Sequence, residues 1–600
     1  MSNIDSTLSR RRVVQSGAAM AAALSVGGAF AQDSTPVSVE GVGIPSAGTE
    51  NQNRGEGGEL RMLQWQAPTT LNRYKSTGVK DYLAGSLVME PLFIVAPDAS
   101  LIPMLASEVP SKDAGTLADD LTWVTVALKQ DVVWSDGEAF DAEDVRFTWQ
   151  WNINQDNASF SYDIYATVRD VEIIDPHTVT FHFTQSNPIW FEVISSSGGT
   201  VILPEHILHE QTQEANDAFG ISPIGTGPYV VTEFTPNDQA IFAANEHYRE
   251  PNKPFFSSVL LKGGGDAAGA ARAVLQTGEY DFAWLINVEP EVLMPMLGED
   301  SHGVLDVTPT VSLEYLDVNF SDPRTEVDGQ FSEMNTPHPI LTDLKVRQAL
   351  GLAINRELIT TELYVEGNQS AANVILGNPA IDTSHNQAVY DPEAAKALLE
   401  EAGWVLEDGS DVRTKDGREL ELNLATTVNS VRQKTQAIIQ ANLAAVGIRL
   451  ELLQIDAGQF FDGSAGNDQN ITHFYRDLQM YSTSVGNARP IRLMNNWYTG
   501  PDGENIPQES NGWSGSNSSR WQSAEYDAEL EAARVESDDD RLVERLITLN
   551  DMVVNEHVAI PLVHYGLNVV YSKRMNAENF GFGPFEYHYW NIANWNLNQD

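Results

Sequence analysis

Short segments rich in β-branched, aromatic and aliphatic residues recur along the chain. Three of them, at 60–65, 123–128 and 178–183, have the composition and length of β-strands. A fourth, at 448–452, alternates apolar and polar side chains, which is typical of a strand with one buried face. These four segments lie far apart in the sequence, so the pattern predicts strands distributed along the chain.

Longer segments between the strands have the apolar spacing and the end signals of helices. Asp141 and either Thr342 or Asp343 are typical N-cap residues, and Asp391 is followed by a proline at the first helical position. A further helix is predicted to end at Gly447. Since helices and strands interleave throughout, the predicted fold class is mixed α/β. The helix that follows Asp343 has one apolar face, formed by Val346, Ala349, Leu350 and Ala353.

The N-terminal segment 1–31 has the pattern of an export signal. Ser9–Val14 contains three consecutive arginines, an Ala/Gly-rich apolar run covers 17–30, and Ala29–Ala31 fits an A-x-A cleavage site. The apolar run is shorter than the ~20 residues that span a bilayer, which favours a twin-arginine signal peptide over a membrane helix. The segment 32–58 has no aromatic residue and is predicted to be a flexible arm.

Composition and charge exclude several classes of function. The 600 residues include 84 acidic and 36 basic ones, for a formal net charge of −48, which disfavours nucleic acids and anionic membrane surfaces as partners. A hydrophobic content of 42% is enough to form cores. The chain has no cysteine, so disulfides, thiolate metal sites and cysteine nucleophiles are excluded, and no lipid-modified anchor is expected.

Motifs for catalysis or metal binding are weak. The segment Gly225–Gly227 precedes a proline and lacks the Lys-Ser/Thr of a phosphate-binding loop. His206 and His209 are spaced like a metal pair on a helix, but no third ligand is evident. We therefore expect no catalytic residue, no metal and no cofactor. Because acidic residues are abundant, a secreted hydrolase with a carboxylate pair stays an open alternative.

The order of the motifs resembles the solute-binding proteins of ABC importers, specifically the large dipeptide/oligopeptide/nickel-binding family (family 5). The resemblance covers about 59–580, and several motifs in family order make it specific. The segments that carry it are Leu105–Glu108, Leu121–Trp123, Leu128–Glu138, Phe140–Val145, Gly225–Tyr229, Ala273–Asp281, Val346–Arg356 and Asp391–Trp404.

The resemblance implies a two-lobed fold of the periplasmic-binding-protein type, large and type II-like, with an extra domain and a ligand cleft between the lobes. Closure of the lobes would bury the ligand. The implied division is lobe I at 59–90, 206–312 and 557–600, an extra domain at 91–205 packed on lobe I, and lobe II at 313–556.

The resemblance also implies a function. The protein would be a periplasmic, monomeric binder without enzymatic activity, exported by the twin-arginine route. It would capture a peptide or peptide-like solute and deliver it to the membrane permease of an ABC importer. The alternative within this class is a neutral polar solute, such as an oligosaccharide or an opine.

Three segments of the resemblance are expected to contact the ligand. Peptide binders of this family place an aspartate for the ligand's ammonium near Tyr481, but Thr483 or Ser484 stands there in this chain. Since a buried ammonium without a carboxylate is costly, either another acid serves or the ligand has no free amine. The residues assigned to the ligand are Gln66, Thr69, Thr70, Asn72, Asn319, Tyr481, Thr483 and Ser484.

Overall fold

The computed structural model describes most of the chain after the N-terminal segment. The predicted signal peptide and the first part of the predicted arm lie outside the described residues, as does the side chain of Ser484. The described ranges are 44–76, 78–376, 381–461, 466–484, 487–586 and 588–598.

Strands occur in every third of the described chain. They are β1 (Glu59–Gln64), β2 (Phe93–Val95), β3 (Leu101–Pro103), β4 (Trp123–Ala127), β5 (Val168–Asp175), β6 (Thr178–Phe183), β7 (Tyr229–Thr235), β8 (Gln239–Ala244), β9 (Ser258–Gly263), β10 (Phe282–Ala283), β11 (Gly303–Val318), β12 (Gln369–Ser370), β13 (Thr414–Lys415), β14 (Arg418–Glu419), β15 (Glu421–Thr427), β16 (Arg449–Ile455), β17 (Leu478–Ser484) and β18 (Ala559–Ser572).

Helices alternate with these strands, and no helix in the described ranges is long and apolar enough to cross a bilayer. They are α1 (Val79–Gly85), α2 (Ala142–Ile153), α3 (Tyr162–Tyr165), α4 (Glu205–Leu208), α5 (Gln213–Ile221), α6 (Ala267–Leu275), α7 (Pro290–Leu293), α8 (Leu344–Ala353), α9 (Arg356–Leu363), α10 (Pro392–Glu401), α11 (Ser430–Ala444), α12 (Ala457–Phe460), α13 (Ile491–Met494), α14 (Ala524–Ala533) and α15 (Asp539–Asn555).

The local signals in the sequence mark these elements correctly. Asp141 caps α2 in a capping box, and Asp343 and Asp391 cap α8 and α10 with their side chains. Gly447 adopts a φ of 87°, a left-handed conformation that glycine reaches without strain, just after α11 ends. The predicted strands correspond to β1, β4, β6 and β16. The helix and strand predictions are therefore confirmed.

One large sheet organises the molecule. Its eleven strands run in the order β16-β15-β17-β11-β18-β10-β1-β9-β8-β7, and β12 pairs with β18. The strands β11 and β18 are the long ones, with 16 and 14 residues, and they are antiparallel partners. On its other edge β11 pairs with β17, and β18 pairs with β10. The two long strands thus join the two halves of the sheet.

The ladder between β11 and β18 is interrupted where the two halves meet. Its register shifts between Thr308 and Ser312, opposite the stretch Tyr565–Leu567. At this point Gly566 approaches the opposite backbone so closely that a Cβ would lie 2.8 Å from the carbonyl oxygen of Thr308. Glycine is required here because no side chain fits.

Separate hydrophobic cores lie in the two halves. In the first, Leu60 and Phe242 of the large sheet share a core with Val124 and Val179 of a three-stranded sheet, β4-β6-β5. In the second, a different core packs α8, α10 and α11 on β15, β16 and β17. Each half of the sheet therefore has a core of its own.

The segment 44–58 differs from the flexible arm that the sequence predicts for 32–58. The Arg54 side chain donates hydrogen bonds to the carbonyl oxygens of Lys253 and Tyr248, each at 2.7 Å. The Gln52 side chain donates to the carbonyl oxygen of Asn252. These polar anchors fix 44–58 against the body, although the segment has no aromatic residue to announce packing.

Candidate functional site

A cavity of about 280 Å³ lies beside the register shift in the β11–β18 ladder. Both halves of the sheet contribute to it. The first half supplies Trp65, Gln66, Leu285, Asn287, Val288 and Asn568. The second half and the segments packed on it supply Glu314, Leu363, Tyr364, Val365, Asn429, Val431, Arg432, Phe461, Ser482 and Tyr565.

An ion pair lies in the wall of this cavity. The carboxylate of Glu314, on β11, accepts hydrogen bonds from Arg432 Nε at 2.8 Å and Nη2 at 3.1 Å. The guanidinium also donates to Thr427 Oγ1 and Ser482 Oγ. Burial alone would lower the pKa of Arg432, but the adjacent Glu314 carboxylate outweighs it and the pKa is raised. The Arg432 guanidinium is therefore held in its charged form by this contact.

Aromatic side chains form a second part of the lining. The rings of Tyr364 and Tyr565 lie 6.5 Å apart between centroids, and Trp65 Nε1 donates to the carbonyl oxygen of Leu285 at 2.9 Å. Burial, with the negative charge of Glu314 as a further cause, raises the pKa of both tyrosines. The two phenols consequently stay neutral and offer flat apolar faces with a polar tip.

Asn568, on β18, is the buried asparagine of this lining, and one polar atom of its side chain has no hydrogen-bond partner in the protein. Its Nδ2 donates to the carbonyl oxygen of Ile286 at 3.3 Å, whereas its Oδ1 is buried and has no protein partner. Buried acceptors are nearly always satisfied in native proteins. An unpartnered oxygen in a cavity wall is therefore available to a donor inside the cavity, either water or a ligand.

The loop after β1 supplies one lining residue of the four that the sequence predicted. Gln66 lines the cavity, whereas Thr69, Thr70 and Asn72 lie outside the lining. The backbone N–H groups of Thr69 and Thr70 donate to the carboxylate of Asp81. The Asn72 side chain caps the 3₁₀ turn that follows it. These hydrogen bonds shape the loop and hold the three side chains away from the cavity.

Asn319 is also placed outside the lining. Its side chain is fully buried and donates to Ser332 Oγ and to the carbonyl oxygens of Phe474 and Arg476, at 2.8 to 3.0 Å. Its carboxamide is thus saturated by the protein. It ties β11 to the segment that enters β17.

The segment 477–484 reaches the cavity through a different residue from those predicted. Ser482 lines it, while the ring of Tyr481 packs on Tyr315, 5.0 Å away between centroids. Thr483 pairs with Leu313 in the sheet and does not line the cavity; Ser484 pairs with Ser312 through its backbone, and its side chain is outside the described residues. Because successive side chains of a strand point to opposite faces, Ser482 faces the cavity and its two neighbours face away.

The Glu314–Arg432 pair is the part of the site that sequence reasoning missed. Two signals could have identified it. Glu314 is an acid flanked by the apolar side chains of Leu313 and Tyr315, and such acids are rarely buried without a partner. Arg432 lies in the first turn of a helix, where the helix dipole favours acids instead of bases.

The chain is similar to known proteins over most of its length. Residues 100–505 match the profile of the bacterial extracellular solute-binding proteins, family 5. The glutathione-binding protein GsiB of Salmonella paratyphi A is 25% identical over 516 residues, which is 85% of this chain and 89% of that protein.

Solved structures give the same fold. NikZ from Campylobacter jejuni, in complex with Ni(L-His), superposes with a TM-score of 0.72 at 23% identity, over 90% of this chain and 99% of that one. AppA from Bacillus subtilis, in complex with a nonapeptide, superposes with a TM-score of 0.69 at 20% identity, over 91% and 100%. The expected two-lobed, mixed α/β fold is confirmed.

Proposed function

This chain belongs to the bacterial extracellular solute-binding proteins of family 5, and we propose that it captures a peptide or peptide-like solute and delivers it to the permease of an ABC importer. The observation that carries the proposal is the cavity beside the β11–β18 ladder. Residues from both halves of the sheet line this cavity. A ligand in contact with both walls stabilises the closed form by its differential affinity.

We propose lobe boundaries that follow from the same pair of strands. Lobe I comprises 59–90, 206–312 and the C-terminal segment, with the extra domain 91–205 packed on it. Lobe II comprises 313–556. The shared core of Leu60 and Val124 supports the placement of the extra domain. We add 559–565 to lobe II, because Ile560, Leu562 and Val563 pack into its core.

The size of the cavity favours a small solute. A volume of about 280 Å³ lies near the lower end of the ~300–1,000 Å³ typical of ligand pockets. The name of GsiB, which binds the tripeptide-sized glutathione, supports a short peptide over a long one. The proposed contacts are Gln66, Asn568, Tyr364, Tyr565 and Ser482. The self-paired charges of the lining favour a neutral polar solute as the second candidate.

The experiment that tests the function identifies the solute that the protein retains. The protein is purified from the periplasm of a bacterial host and examined by native mass spectrometry, with one small molecule per chain as the expected result. We propose binding without catalysis, so the solute should be recovered chemically unchanged. A protein that retains nothing and responds to no peptide in a thermal-shift library would contradict the proposal, and so would conversion of the solute.

A pair of variants controls for the place of binding. Val431 is buried and lines the cavity, whereas Val428 lies three residues away and is 58% exposed outside it. Val431→Trp fills the cavity and should abolish retention of the solute. Val428→Trp adds the same side chain at the surface and should retain it. Equal retention by the two variants would place binding elsewhere.

Export by the twin-arginine route is part of the proposal. Replacing Arg10, Arg11 and Arg12 together by lysine keeps the charge but removes the arginines that this signal requires. The folded precursor should then accumulate in the cytoplasm, as measured by fractionation and immunoblotting. Arg146→Lys, at a partly exposed position of α2, is the control and should leave export unchanged. Undiminished periplasmic protein in the triple variant would be evidence for another route.

A further inference from the structure

The charged groups in the cavity wall neutralise each other. Among the described lining residues, Glu314 and Arg432 are the charged ones. Both carboxylate oxygens accept hydrogen bonds from the guanidinium, and four of its five N–H donors are engaged by Glu314, Thr427 and Ser482. The side chain of Glu314 is only 5% exposed. The wall therefore presents no free counter-charge to a ligand.

A charged ligand group meets an energetic obstacle in this wall. An ammonium that takes Glu314 as its partner must displace Arg432, and a carboxylate that takes Arg432 must displace Glu314. Either displacement leaves a buried charge without its partner, which is strongly unfavourable. An uncharged polar group leaves the pair intact.

One buried polar atom of the wall lacks a hydrogen-bond partner within the protein and can bond to such a group. Asn568 is 5% exposed, and the contact of its Nδ2 with the carbonyl oxygen of Ile286 leaves Oδ1 as a buried, unpartnered acceptor. The other asparagine on this side, Asn287, is exposed to solvent. A ligand that carries an N–H or O–H donor supplies the partner that this acceptor lacks within the protein.

From these observations we propose that the cavity selects a solute group without formal charge, which donates an N–H or O–H to Asn568 Oδ1 and packs on Tyr364 and Tyr565. The proposal rests on the proposed function and names its solute class. Amide N–H and hydroxyl groups share this chemistry. A peptide blocked at both ends and a neutral sugar are two kinds of solute that carry such a group.

The test compares end-group forms of one dipeptide on the mature protein by calorimetry. The probes are alanylphenylalanine as the free zwitterion, with an N-acetyl group, with a C-terminal amide, and with both, together with maltose as the sugar. An uncharged probe, either the doubly blocked dipeptide or maltose, should bind at least about tenfold tighter than every charged form.

Two outcomes would overturn the proposal. One is a charged form that binds as tightly as the uncharged probes; the other is no binding of any of the five probes. In both cases the solute retained on purification still decides the proposed function separately. A retained solute with a net charge would refute the selection of uncharged groups and leave the transport role standing.

Variants locate the selection in the named residues. Asn568→Ala should weaken the binding of the uncharged probe about tenfold, whereas Asn335→Ala, at an exposed position outside the lining, should change it less than about threefold. Equal effects of the two substitutions would refute the role of Asn568.

The role of the ion pair is tested by removing one partner at a time, because each single substitution leaves one uncompensated charge of known sign. Glu314→Gln frees Arg432, so the anionic N-acetyl dipeptide should gain affinity relative to the uncharged form. Arg432→Gln should favour the cationic amide instead. The double variant restores neutrality and should return the preference to the uncharged form, and it serves as the test where a single variant does not fold. An unchanged order of affinities across these variants would refute the proposal.

Discussion

Replacing Asp477 by alanine is expected to lower the free energy of unfolding by about 2–5 kcal/mol, because each buried hydrogen-bonding group left without a partner costs about 1–3 kcal/mol. The Asp477 side chain is fully buried and accepts hydrogen bonds from Arg324 Nη2 at 2.6 Å, from His338 Nε2 at 2.8 Å and from the backbone N–H of Asn423 at 2.8 Å. Removing the carboxylate leaves His338 and the backbone N–H of Asn423 as buried donors without an acceptor, whereas Arg324 is about half exposed and can bond to water. Urea denaturation followed by circular dichroism measures the change.

A second acidic residue of the proposed lobe II provides the matched control. Glu421 also pairs with an arginine, Arg449, but both side chains are about half exposed. Exposed pairs contribute about 0–1 kcal/mol, so Glu421→Ala should change stability by no more than that. If the two substitutions had similar effects, the network around Asp477 would not hold this lobe together. The result matters for the site because Asp477 immediately precedes β17, which carries Ser482.

Elements with local signals were predictable from the sequence. Asp141, Asp343 and Asp391 cap their helices through hydrogen bonds within three residues, so the information is contained in a few adjacent positions. The fold class followed from the interleaving of such elements. The anchoring of 44–58 was not predictable, since Arg54 bonds to carbonyls about 200 residues away.

The sequence prediction named β17, which contributes to the cavity lining, but it named Tyr481, Thr483 and Ser484 instead of the lining residue Ser482. Whether Tyr481 or Ser482 faces the cavity depends on which face of β17 the lobe core covers, and Met480 of that core takes the same face as Ser482. The partners Glu314 and Arg432 are 118 residues apart, so no local pattern joins them. They come together because β11 lies two strands from β15, which leads directly into α11.

A carboxyl group between the proposed extra domain and lobe II is expected to make ligand affinity depend on pH. Glu192 lies in the 3₁₀ turn Trp190–Val193, its side chain is 3% exposed, and it accepts a hydrogen bond from Asn487 Nδ2. Arg492 Nε approaches it to 3.9 Å. Arg489 adds a second link across the same contact, since its Nη1 donates to the carbonyl oxygen of Pro188 at 2.6 Å.

Burial raises the pKa of Glu192 to about 7, and the attraction of Arg492 opposes this only in part. When the lobes separate, we expect the carboxyl group to meet water and its pKa to return toward the ordinary value of 4.5. The closed form then binds the proton more tightly than the open form. Closure is therefore favoured as pH falls through 7, and it weakens as pH rises and the buried group ionises.

The expected size of this effect is roughly a tenfold gain in ligand affinity between pH 8 and pH 6, since one pKa unit corresponds to about 1.4 kcal/mol. Doubly blocked alanylphenylalanine suits the calorimetric measurement because it does not titrate itself, and small-angle scattering follows closure independently of any probe. Glu192→Gln mimics the protonated carboxyl group and should make both profiles flat. Asp163→Asn, at an exposed position of the same domain, should leave them unchanged. A flat profile for the unaltered protein, or an undiminished slope in Glu192→Gln, would show that Glu192 does not control closure.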